Sequence, residues 1–244
     1  MYNKFVVKRK ANKRSLNIFK ILSIVLILLF IIFIPILIQK LIKINKIECS
    51  SQYDACPFDI ETKLKTFEQK DYKKVKKEVT KVLVESYLIR DFSMQYRFPS
   101  KLIIELNLKK PKYTIKDSLS SKFYLIDEDE TVLEITEESN LPTIVKSRVD
   151  IKLGENINKK DKFSLEIVEK VAWLYSVKEG IIEKEELKLT LKEGVLVRFP
   201  LEGDVDSLVG GLRLIFSRLN DGSQGIRMED IKEIDLRFKN PVLR

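Results

Sequence analysis

The sequence predicts an α+β protein with an N-terminal transmembrane helix, and three observations carry that reading. Ile21 to Gln39 is a charge-free run of 19 residues, nearly all Ile, Leu, Val or Phe. Beyond it, apolar residues recur first at helical spacing and then at every second position. Helices and hairpins then follow one another to the end of the chain, the pattern of helices laid on sheets.

At about 1.5 Å per helical residue the apolar run reaches about 28 Å, close to the hydrocarbon thickness of a bilayer. A cleaved signal peptide would have a shorter apolar core followed by small residues. Here Pro35-Ile36-Leu37-Ile38-Gln39-Lys40 follows instead, so the run is expected to stay as an anchor within residues 17–42. Pro35 falls in its last third, where a kink is tolerable. Lys4, Lys8, Arg9, Lys10, Lys13, Arg14 and Lys20 precede the run without an acid, against Lys40, Lys43 and Lys46 just after it. The larger basic cluster keeps the tail, residues 1–16, in the cytoplasm and sends the remainder outside.

The net charge of +9 would ordinarily suggest nucleic acid, but its placement argues otherwise. Ten of the 45 basic residues lie before Ile47 with no acid among them, so the remaining 35 meet 36 acids. The excess serves topology and attraction to the lipid bilayer's headgroups, and no nucleic-acid partner is expected. Cys49 and Cys56 are the only cysteines, and both fall on the outer side. There a disulfide across their short loop is expected, with two free thiols as the alternative. A metal site is disfavoured, because the chain has no histidine and no second cysteine pair.

After a short apolar run at Ile44–Ile47, helices are expected at Asp59–Phe67, carrying Ile60, Leu64 and Phe67, and at Tyr72–Ser86. The second has Tyr72, Val75, Val79, Val82 and Leu83 at helical spacing. Phe92, Met94, Tyr96 and Phe98 then alternate with polar residues, and after Pro99-Ser100 the alternation resumes at Leu102, Ile104, Leu106 and Leu108. This predicts a hairpin of half-buried strands, closed by Lys110-Pro111. Residues 43–112 therefore read β-α-α-β-β, one domain.

Residues 113–244 form the second. After the turn at Ser118–Lys122, strands are expected at Phe123–Ile126 and Thr131–Ile135 around the acidic turn Asp127-Glu128-Asp129-Glu130, read as solvated. A helix is predicted over Asp161–Val177. Leu187, Leu189 and Leu191, the turn Glu193-Gly194, and Val195, Val197 and Phe199 form a second hairpin. Val205–Leu219 has a clear helical stripe, and Gly210-Gly211 inside it is read as close packing of helix on sheet. A last strand is expected at Ile231–Phe238, with Ile234, Leu236 and Phe238 on one face.

No catalytic, cofactor or metal constellation is legible. Without histidine there is no Ser-His-Asp or Cys-His arrangement, and Gly210-Gly211 does not lie between a strand and a helix N-terminus as a phosphate loop requires. The chain reads as a non-enzyme. What remains is surface for partners: a terminal strand at a sheet edge accepts another chain by strand addition, unless it is paired on both sides.

The layout resembles the bacterial cell-division family FtsQ/DivIB. Arg97-Phe98-Pro99-Ser100-Lys101-Leu102 is similar to the strand–Pro–strand step that ends the family's POTRA domain. Leu125-Ile126-Asp127 resembles the strand opening its β-domain, and Leu141-Pro142-Thr143-Ile144 its "LP" turn. Ile234-Asp235-Leu236-Arg237-Phe238 is similar to its closing "vDLRy" strand, the most specific match. Lys109-Lys110-Pro111 departs from the usual Glu-Arg-x-Pro, and the cysteine loop is not typical of the family.

The resemblance implies a POTRA-type domain, then a mixed α+β β-domain, in a scaffold of the septal peptidoglycan synthesis complex. It implies an FtsB/DivIC-like coiled-coil partner, itself paired with an FtsL-like protein, received at Leu236, Arg237, Phe238 and Asn240. It implies no cofactor, and a location in the cell membrane at the division septum. Two other classes remain open: a POTRA protein that chaperones exported polypeptides by strand addition, and an anchored cell-wall enzyme, which the lack of histidine disfavours.

Overall fold

The structure is a computed structural model that describes residues 22–31, 43–191, 194–220 and 231–244. Residues 22–31 are helical, and every one of them is exposed. Among the described residues no helix is long and apolar enough to cross a membrane. The rest of the expected span, and the tail before it, lie outside the described residues. The described residues divide into two compact units, one drawn from Met1–Ser86 and Asp91–Asn107, the other from Tyr87–Arg90 and Leu108–Arg244.

The first unit is built on a three-stranded sheet in the order β2-β5-β4. Its strands are β2 (Lys46–Ser51), β4 (Ile89–Arg97) and β5 (Lys101–Leu108). β1 (Lys43–Ile44) and β3 (Lys70–Asp71) make a separate antiparallel pair. Helix α1 (Phe58–Lys65) buries Ile60 and Leu64; α2 (Tyr72–Val84) buries Val75, Val79 and Leu83, one residue per turn. β2 runs parallel to β5 with Ile47 opposite Leu102 and Cys49 opposite Ile104. Parallel neighbours need a crossover, and the segment carrying α1 and α2 supplies it. Cys49 and Cys56 are joined by a disulfide that closes the loop after β2.

The second unit carries a nine-stranded mixed sheet in the order β14-β13-β12-β11-β10-β9-β6-β7-β8. One half comprises β6 (Tyr113–Asp117), β7 (Phe123–Ile126), β8 (Val132–Thr136) and β9 (Thr143–Lys146). The other comprises β10 (Glu179–Glu183), β11 (Glu186–Thr190), β12 (Leu196–Phe199), β13 (Glu233–Asp235) and β14 (Val242–Leu243). Helix α3 (Lys159–Tyr175) packs against β9 and β10, and α4 (Val205–Asn220) packs against α3. Leu165, Val168 and Val171 of α3 and Val209 and Leu212 of α4 share one core with Leu187, Leu189, Val197, Phe199 and Ile234 of the sheet.

Both helices start where their caps dictate. Asn158 Oδ1 accepts the backbone N–H of Asp161 at 2.9 Å, and its Nδ2 donates to Asp161 Oδ2 at 2.9 Å. Asp204 Oδ1 accepts the N–H of Ser207 at 2.7 Å, opening α4.

Several expectations are corrected. The acidic run is not merely a solvated turn. Asp127 is buried, accepts the Thr131 N–H at 2.7 Å and pairs with Lys109 Nζ at 2.8 Å. Gly210 and Gly211 do not serve close helix–sheet packing, since a Cβ at either would meet nothing within 4 Å. Gly180 of β10 has that role: its Cβ would stand 2.9 Å from Leu187 and 3.0 Å from Val168 of α3. The last strand does not run over Ile231–Phe238. It stops at Asp235, and the chain turns back to lay β14 antiparallel on β13.

Candidate functional site: the C-terminal hairpin

Alternation along β11, β12 and β13 sends Leu187, Leu189, Val197, Phe199 and Ile234 into the core. The residues between them, Glu186, Lys188, Arg198, Glu233 and Asp235, therefore share the opposite face. There they form a continuous charge network. Arg198 Nη1 meets Glu186 Oε1 at 2.7 Å and its Nη2 meets Glu233 Oε2 at 3.2 Å. Glu233 Oε1 also takes Arg244 Nη1 at 2.8 Å, and Lys188 reaches Glu186 at 3.4 Å. Each buried carboxylate has a cation, as charge burial demands.

Arg237 ties the start of the returning loop to this face. Its Nε donates to Asp235 Oδ1 at 2.9 Å, its Nη2 to Asp235 Oδ2 at 2.6 Å, and its Nη1 lies 2.6 Å from Glu186 Oε2. The Arg237 hydrogen bonds hold the Asp235 carboxyl below the usual carboxylate range, and in return Asp235 raises the guanidinium above its own ordinary value. Arg237 is thereby fixed under Phe238, its guanidinium carbon 5.7 Å from the ring centroid. Phe238 is 55% exposed.

Beyond the loop, among the described residues, the sheet ends at β14. Glu233 and Arg244 exchange both backbone hydrogen bonds, at 2.9 and 3.0 Å. By antiparallel alternation the N–H and C=O of Leu243, opposite Ile234, point away from β13 toward the open edge. Val242 and Leu243 are half-buried there. Pro241 before them has no N–H to offer, so the open edge is short.

Of the residues expected to receive a partner, Arg237, Phe238 and Asn240 lie together in the exposed loop between β13 and β14. Leu236 does not join them: it is 4% exposed and belongs to the core. Phe238 lies off the strand, not on one face with Ile234 and Leu236. The returning strand, Val242–Leu243, and the anchoring acid Glu186 are absent from the sequence reading. The turn pattern Lys239-Asn240-Pro241 after an alternating run is the signal that marks such a return.

Among the described residues no cluster of three or more His, Cys, Asp or Glu is arranged to hold a metal ion. The arrangement at the hairpin offers an exposed aromatic, an oriented cation and a short open edge, which is binding chemistry. No family model matches the chain, and no curated protein matches it.

Proposed function

We propose that the chain is a non-enzymatic, single-pass membrane scaffold of the bacterial division machinery, of the FtsQ/DivIB kind. In this reading residues 17–42 cross the membrane, residues 1–16 stay in the cytoplasm, and a POTRA-type domain (43–112) and a β-domain (113–244) act outside. The exposed apolar residues at 22–31 support the anchor, since such a surface is favourable in lipid and costly in water. The β-domain receives a coiled-coil partner of the FtsB/DivIC type, itself paired with an FtsL-type protein, and so links the septal peptidoglycan synthesis complex.

The observation that carries this reading is the C-terminal hairpin. Phe238 stands exposed over an Arg237 that is already held by Asp235 and Glu186, so little ordering remains to be done on binding. Leu243, on the strand that follows the loop, turns its N–H and C=O away from β13, where an added strand can take them. A large aromatic paired with an oriented arginine is the composition of an interface hot spot, worth about 2 kcal/mol or more when truncated.

The test is a pull-down of the FtsB/DivIC-type protein of the same cell on the full-length chain and its Phe238→Ala variant. The reading expects binding to the parent chain, weakened about tenfold or more in the variant while circular dichroism is unchanged. Equal capture by both would remove the hairpin as the docking site. No capture by the parent chain would remove the scaffold reading.

A further inference from the structure

A second surface, distinct from the hairpin, lies between α3 and α4. It is a groove of about 500 Å³ walled by Glu169, Lys170, Trp173, Asp206, Gly210 and Arg213, with Leu174 and Val209 at its floor. Trp173, the chain's only tryptophan, is 86% exposed. Leu214, beside Arg213, is also exposed.

Charge accounting in the groove leaves one sign over. Lys170 pairs with Asp206 across it, from α3 to α4. Glu169 is held by Lys112 Nζ at 3.1 Å and by the Tyr113 hydroxyl, which donates to it at 2.7 Å. Arg213 makes no ion pair among the described residues. Among the described residues, the charged group of this lining without an ion pair is therefore the Arg213 guanidinium, one turn from Gly210 on α4 and lining the same groove as the exposed indole.

Gly210 supplies the third observation. It is exposed inside a helix, and a Cβ there would touch nothing, so among the described residues no neighbour accounts for a residue that weakens helices. A bare backbone does permit another backbone to approach closely.

We propose that this groove docks an amphipathic helix of a partner protein, an aliphatic side chain of which covers Trp173 while a carboxylate pairs with Arg213. A strand would not fit, because the walls are helices whose interior N–H and C=O groups are closed on themselves and offer no edge. A docked helix brings its own backbone hydrogen bonds with it when it covers the groove, and an extended peptide would lose them. Asp206 and Arg213 on one wall, and Lys170 and Trp173 on the other, flank the gap at Gly210 over which a third helix can lie.

The sole tryptophan makes the test direct. The full-length chain, in lipid nanodiscs, is titrated with a synthetic helix of about 18 residues that has one leucine face flanked by glutamates. The control is the same peptide with lysine in place of glutamate. The proposal expects a saturable blue shift of Trp173 emission with the acidic peptide and about tenfold weaker binding of the basic one. Arg213→Glu should reverse that order, and Gly210→Leu should fold normally yet weaken the acidic peptide about tenfold or more. Equal affinity for the two peptides, indifference to both variants, or no saturable shift would overturn it. So would a blue shift that grows with protein concentration alone, which would make a second copy of this chain the occupant.

Discussion

Asp235 and Arg237, two residues apart, face each other through a fork of two hydrogen bonds, Nε to Oδ1 at 2.9 Å and Nη2 to Oδ2 at 2.6 Å. The pair sits where β13 stops and the loop bearing Phe238 begins, so the same contact ends the strand and aims the aromatic.

That contact makes stability depend on acid. The folded state holds the Asp235 carboxyl below its ordinary value, so its contribution is fully present above about pH 4 and drains as pH falls through the lowered folded value. Asp235→Asn should cost about 2 kcal/mol at neutral pH. Its melting temperature should approach that of the parent chain as pH drops toward 2, measured by circular dichroism. A constant gap across pH would show that the charge on Asp235 is not what stabilises.

Lys109 and Asp127 are a buried pair, with side chains 15% and 0% exposed. Removing one partner from such a pair leaves the other's charge desolvated. Lys109→Ala should therefore destabilise by about 3 kcal/mol, read by denaturant unfolding. A loss below about 1 kcal/mol, the size expected of a surface pair, would mean Asp127 is reached by water.

Two glycine substitutions should move stability in opposite directions. Gly180→Ala puts a methyl 2.9 Å from Leu187 and 3.0 Å from Val168, and overpacking of that kind costs about 1–3 kcal/mol. Gly210→Ala meets nothing and removes a flexible residue from α4, so it should stabilise by about 1 kcal/mol. Thermal unfolding of both variants checks the pair together.

Reduction of Cys49–Cys56 should cost the first unit about 2–3 kcal/mol through loop entropy. The Tyr72–Tyr96 ring pair of that unit gives a near-ultraviolet signal to follow. The Trp173 signal of the second unit should not move.

The helices were legible because each buries an apolar stripe: Val75, Val79 and Leu83 in α2, and Ile167, Val168 and Val171 in α3. The pair β11–β12 was legible through alternating Leu and Val. β6, β9 and β10 were not, because each is a short strand in the middle of the sheet, with neighbours on both sides and with its alternation interrupted. Thr114 and Thr143, both buried, sit where an apolar residue would have marked the strand. β14 is too short to show any period. Asp127 was misread because an acid in an acidic turn resembles its neighbours in sequence, while its burial depends on Lys109, eighteen positions earlier. At the site, Phe238 was singled out only by the resemblance: the alternating pattern put it on a strand face with Ile234 and Leu236, whereas it stands exposed in the loop after Asp235. The burial of Leu236 was not legible, since it follows from a turn rather than from strand alternation.

The most direct measurement of the docking account is amide hydrogen exchange at Leu243 and in the Phe238 loop, with and without the FtsB/DivIC-type partner. Strand addition at the open edge predicts that the Leu243 amide slows strongly on binding, together with slower exchange from Arg237 to Asn240. A partner that binds while these amides exchange at unchanged rates would contradict it.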